Sequence, residues 1–159
     1  MKMRLLTLAL CCLLSAVAFA AVVPTNSQTL TLQQGWNLVT LKRPITQEEV
    51  NKFLNLNPIR LDTEKQCYVR CANATDIQVG VGYWIYSASE EEVNVELALD
   101  LTQASWQTAG LGSGWSLVGV ATNSNWQNGA SAIWQWQNDC FREIAKGDLI
   151  AGKAYFVKP

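Results

Sequence analysis

The clearest pattern along the chain is the alternation from Val93 to Leu101. Val93, Val95, Leu97, Leu99 and Leu101 fall on one side, and Asn94, Glu96, Ala98 and Asp100 on the other. A period of two marks a strand with one packed face and one wet face, the usual state of an antiparallel sheet. Thr29-Leu30-Thr31-Leu32 alternates in the same way, a glycine turn follows, and Trp36 to Leu41 is rich in apolar and β-branched residues, so two further strands are expected there. Glu90 to Glu92 read as a solvated turn.

One segment changes period. Thr46-Gln47-Glu48-Glu49 spells a capping box, in which the Thr46 hydroxyl accepts the Glu49 N–H while the Glu49 carboxylate reaches back to Thr46. Ile45 and Val50 flank it as a hydrophobic staple. Val50, Phe53 and Leu54 then form a core-facing stripe, and Asn57-Pro58 ends the helix.

The elements recur. Gly35-Trp36-Asn37-Leu38-Val39-Thr40-Leu41 returns 79 residues later as Gly114-Trp115-Ser116-Leu117-Val118-Gly119-Val120. Cys67-Tyr68 corresponds to Cys140-Phe141, and Gly80 to Tyr86 corresponds to Gly152 to Lys158, at offsets of 73 and 72. Three anchors in one order point to a duplication. The first copy runs from about residue 27 to 87 and the second from about 108 to 159, with a connecting strand over about 90 to 103. The fold expected is mainly β: two tandem pseudo-symmetric repeats packed into one sandwich or barrel-like domain, with a short helix in the first. Where the first copy has its helix, the second has the polar stretch Asn123-Ser124-Asn125-Trp126-Gln127-Asn128-Gly129, which disfavours a helix interior.

The N-terminus carries a processing signal. Lys2 and Arg4 precede an apolar run over Leu5 to Leu14, and Ala18-Phe19-Ala20 offers the small-x-small pattern that signal peptidase reads. Residues 1–20 are expected to be removed on export to the periplasm, the cell surface or the medium. The apolar run is too short to span a bilayer as a mature helix, which takes about 20 residues.

Composition narrows the function. Of 159 residues, 49% are hydrophobic, 16% are charged and none is His. Without His there is no Ser-His-Asp or Cys-His relay and no His-ligated metal, and no metal or cofactor is expected. A net charge of −1 without a basic cluster argues against nucleic acid. Cleavage after Ala20 would remove Cys11 and Cys12 and leave Cys67, Cys71 and Cys140, an odd set from which one disulfide is expected in an oxidising compartment, by any of three pairings.

The repeated Gly-Trp-Asn-Leu-Val at 35–39, Ile133-Trp134-Gln135-Trp136 before Phe141, and Gly-x-Gly-Tyr-Trp-Ile at 80–85 resemble the "GWNL" repeats of secreted and surface-associated bacterial proteins. The resemblance covers most of both copies and implies an exported accessory module with an adhesive or interaction role and no assigned chemistry. The second copy departs from it at Ser116 and at Ala154-Tyr155-Phe156.

All seven Trp residues lie beyond the leader. Trp36, Trp84 and Trp115 sit at matched strand positions and are read as core or core-edge. Trp134 and Trp136 match Leu61 and Thr63 of the first copy and face inward opposite Gln135 and Gln137. Trp106 and Trp126 have no aromatic counterpart. With Asn123, Asn125, Gln127 and Asn128 they form the candidate ligand site, since flat rings suit sugar C–H faces and amides suit hydroxyls. An exported, non-catalytic module binding carbohydrate or a surface or envelope protein is therefore expected. The alternatives are a structural assembly subunit using a bare strand edge, or a small glycosidase built on two carboxylates among Asp62, Asp139, Glu143 and Asp148.

Overall fold

The computed structural model describes residues 26–98, 113–121, 123–125, 130–144 and 148–159. The chain is mainly β. The first half gives β1 (Ser27–Leu32), β2 (Gly35–Thr40), α1 (Gln47–Asn55), β3 (Ile59–Asp62), β4 (Cys67–Arg70), β5 (Gly82–Ser87) and β6 (Glu91–Glu96). The second gives β7 (Ser116–Gly119), β8 (Ser124–Asn125), β9 (Ala132–Gln137), β10 (Cys140–Glu143), β11 (Asp148–Leu149) and β12 (Ala154–Lys158).

Two antiparallel four-stranded sheets dominate, ordered β2-β5-β3-β4 and β7-β12-β9-β10. The order is the same in both. So is the register: Leu38 faces Trp84 and Val39 faces Tyr83 in one sheet, while Leu117 faces Phe156 and Val118 faces Tyr155 in the other. Reciprocal bridges join the sheets, Val39 with Lys153 and Val81 with Val118. The hairpin register corrects one sequence match, because Ile59 pairs with Trp84 as Trp134 pairs with Phe156. Trp134 and Trp136 thus occupy the places of Ile59 and Leu61. The shift arises in the turns, which hold four residues (63–66) in the first hairpin and two (138–139) in the second.

Three apolar clusters follow from strand alternation. Tyr83 and Ile85 of β5 look away from the second sheet and pack with Phe53 of α1 and with Leu30, Leu32 and Val95 of β1 and β6. β1 and β6 pair with each other, so the segment expected as a connector is one wall of the first core. Gln28 ties this pair to β2: its buried side chain donates to the Thr40 carbonyl (2.8 Å) and accepts from the Lys42 N–H (2.9 Å). The second cluster holds Val118, Val120, Ile133, Leu149, Tyr155 and Val157. The third lies between the sheets, where Leu61, Trp84 and Leu117 are buried and Leu38, Ile59, Trp115, Trp136 and Phe156 pack around them.

The helix forms as its sequence requires, with one change at its start. Thr46 caps it by accepting the Glu49 N–H, and Val50 and Phe53 are buried. The Glu49 carboxylate instead pairs with Lys52 at 3.1 Å, because the Thr46 N–H is already spent on the Glu96 carbonyl (3.1 Å). Docking α1 against β6 thus replaces the second half of the expected box.

The expected disulfide is absent: Cys67, Cys71 and Cys140 are all free thiols. Cys67 sits at the exposed start of β4, and Cys71 lies just past its end, buried. Four residues of extended chain span about 13 Å, beyond the roughly 7 Å a disulfide allows between α-carbons. Cys140 is in the other sheet, where its thiol donates to the Gln137 carbonyl at 3.2 Å.

Candidate functional site

The face of the first sheet that meets the second carries Trp36, Trp84, Tyr86 and Tyr68, and the opposing face brings Trp136 and Phe141. The rings meet edge to face. Trp84 is the hub, with centroids 5.0 Å from Trp136, 5.9 Å from Phe141 and 6.4 Å from Trp36. Such pairs add about 0.5–1.5 kcal/mol each beyond burial, so the cluster is held firmly.

The cluster is not sealed. Trp36 is 45% exposed, Tyr68 51% and Tyr86 59%, and Phe141 is exposed as well. An apolar cleft of about 400 Å³ opens among Trp36, Ile59, Tyr68, Trp84 and Trp136. On the other side of the Trp36–Trp136 pair lies a polar groove of about 450 Å³, whose walls include Gln33, Gln34, Gln137, Asn138, Asp139 and Lys153. The two hollows share Trp36 and Trp136 as a dividing ridge. That ridge is fixed by a hydrogen bond between the sheets, in which the Trp136 indole N–H donates to the Trp36 carbonyl at 3.1 Å.

Local sequence sets Trp36 in place. Gly35 takes a φ of +100°, which suits glycine, and turns the chain into β2. The Asn37 side chain then locks the turn, accepting the Gln33 N–H (2.8 Å) and donating to the Gln33 carbonyl (2.8 Å) and the Gly35 carbonyl (3.0 Å). The strand leading into Trp84 is held by Tyr83, whose buried hydroxyl accepts the Gln78 N–H at 2.6 Å. Tyr155 does the same at the matched position, accepting the Ile150 N–H at 2.9 Å. Burial raises the pKa of both phenols.

The ligand residues expected from sequence are distributed differently. Trp106, Trp126, Gln127 and Asn128 lie outside the described residues. Asn123 is spent on structure, its side-chain oxygen accepting the Ala151 N–H at 2.8 Å. Asn125 belongs to β8, opposite Asp148 of β11. Asn123 lines neither the cleft nor the groove. Trp36, expected at the core or its edge, is instead half-open on the cleft. The missed signal was its neighbour in register: Tyr86 lies opposite Trp36, which puts a second large ring on β5 beside the one on the edge strand β2.

Among the described residues no group of three or more acids and cysteines gathers. Asp62 accepts the Glu64 and Lys65 N–H groups at 3.1 and 3.0 Å, which holds its pKa below the usual range. Among the described residues Asp139 is the one acid on the groove wall, and Glu143 is exposed on β10.

No family model, no curated protein and no solved structure matches this chain.

Proposed function

We propose that the protein is an exported, non-catalytic binding or adhesion module, and that its ligand is carbohydrate held over Trp36 and Tyr68. The observation that carries this reading is the pairing of an apolar aromatic cleft with an amide-lined groove across one ridge. Aromatic faces suit the C–H faces of a pyranose, and Gln and Asn can both donate to and accept from its hydroxyls. Export rests on the leader-like segment over residues 1–20, and membership of the GWNL-type repeats on the motifs at 35–39 and 80–85. A catalytic reading has less support, since a glycosidase needs two carboxylates about 5–10 Å apart and, among the described residues, the groove wall offers Asp139 alone.

A second reading, a subunit of an envelope or surface assembly, is favoured by β10. This strand ends its sheet and is exposed along its whole length, so a partner strand could extend it. The test that separates the two is a glycan array probed with the protein and its Trp36→Ala variant. Binding lost in the variant supports the carbohydrate module; silence across the array with the fold intact by near-UV circular dichroism overturns it and leaves the assembly reading.

A further inference from the structure

The two matched tryptophans at the sheet edges are treated differently by the chain. Trp115, just before β7, has its main chain capped by Gln66: its N–H donates to Gln66 Oε1 at 2.9 Å and its carbonyl accepts from Gln66 Nε2 at 3.0 Å. The carboxamide covers Gly114 so closely that a β-carbon there would lie 2.5 Å from it. Gln66 reaches this point because the first hairpin has a four-residue turn that ends on Gln66 itself, at a φ of +52°.

Trp36 occupies the corresponding place in the first sheet. Alternate residues of an edge strand turn their N–H and C=O away from the partner strand. The Thr40 carbonyl faces outward to Gln28, which sets the same direction for Trp36, four residues earlier. Its carbonyl receives the Trp136 indole, but among the described residues no side chain accepts its N–H. A β-carbon on Gly35 would meet nothing within 4 Å. The second hairpin turns on Asn138 and Asp139 alone, at φ of 48° and 58°, and both line the groove beside Trp36 without a hydrogen bond to its main chain.

Resting on the carbohydrate reading above, we propose that the ligand at Trp36 is a neutral oligosaccharide bearing 2-acetamido groups. The acetamido carbonyl accepts the Trp36 N–H as the Gln66 carboxamide accepts that of Trp115. Its methyl fills the space over Gly35, and a pyranose face lies in the cleft beside Tyr68 and Trp84. The next units run over the ridge into the groove, whose charges among the described residues are one acid, Asp139, and one base, Lys153, so an uncharged chain fits it. Gln66 is thus an internal stand-in for the ligand, closing the matched site of the second repeat.

The test is isothermal titration of the protein with two β-1,4 tetramers that differ only at C2, one of N-acetylglucosamine and one of glucose, alongside Trp36→Ala. The acetamido tetramer is expected to bind tighter by about tenfold or more and to move the Trp36 amide proton downfield in an NMR titration, while Trp36→Ala, which removes the ring and keeps the main-chain N–H, weakens both tetramers and leaves the preference between them. Equal affinity for the two tetramers, or no shift of that amide, overturns the acetamido assignment while leaving a carbohydrate module. Binding of neither tetramer nor any other glycan overturns both.

Discussion

The indole N–H of Trp136 and the main-chain carbonyl of Trp36 lie 3.1 Å apart, and this hydrogen bond joins the two sheets at the ridge between the cleft and the groove. Trp136→Phe keeps most of the apolar volume and removes the donor. We expect a loss of about 0.5–1.5 kcal/mol in urea unfolding, with weaker ligand binding as Trp36 is freed to move. A variant as stable as the parent with unchanged affinity would show that the bond does not set the site.

The hydroxyl of Tyr83 closes the turn before β5 from a fully buried position. Tyr83→Phe leaves the Gln78 N–H without its partner, which should cost about 1–3 kcal/mol. Tyr155→Phe at the matched position should cost in the same range, since it strands the Ile150 N–H. Chemical denaturation of both variants checks this, and a cost confined to one of them would mean that the two turns are not held alike.

Three free thiols with different exposure make a counting experiment. Cys67 and Cys140 are exposed and Cys71 is buried. For the chain lacking residues 1–20, a thiol reagent should consume two equivalents quickly in the folded state and a third on unfolding. Burial, with Asp76 adding to it, pushes the Cys71 thiol up to about 11, so the slow site stays protonated as well as covered. One reactive thiol, or none, would reveal a disulfide.

The same shift fixes an alkaline limit. The folded state favours the neutral thiol of Cys71 and the neutral phenol of Tyr83, both raised mainly by burial. A raised pKa contributes stability that is complete below the unfolded value, 9.0 for the thiol, and is lost as pH climbs toward the folded value of about 11. The melting temperature should therefore hold steady from about pH 7 to 8.5 and fall steeply above about pH 9.5. Cys71→Ala should make that fall shallower; an unchanged slope would remove Cys71 as its cause.

Local patterns carried the elements well and the site poorly. The alternation at Val93 and Val95, the Thr46 cap and the Val50–Phe53 stripe all follow from neighbours within one or two turns of chain, so sequence alone reaches them. The two sheets share one pairing pattern, Leu38 opposite Trp84 and Leu117 opposite Phe156. What sequence could not reach was long-range. Thr46 spends its N–H on Glu96 because α1 lies against β6, and Gln66 closes on Trp115 from 49 residues away. The exposure of Trp36 depends on how the two sheets face each other and on a turn shortened from four residues to two. A binary pattern marks a tryptophan as apolar, yet whether a sheet edge leaves it open is decided by the partner sheet.

The most direct test of the account is the affinity of one glycan ligand for Trp36→Ala and Trp126→Ala, measured side by side by calorimetry. Trp36→Ala is expected to lose about tenfold or more in affinity while Trp126→Ala binds as the parent does. Binding kept by Trp36→Ala and lost by Trp126→Ala would contradict it and move the site to the polar stretch at 123–128.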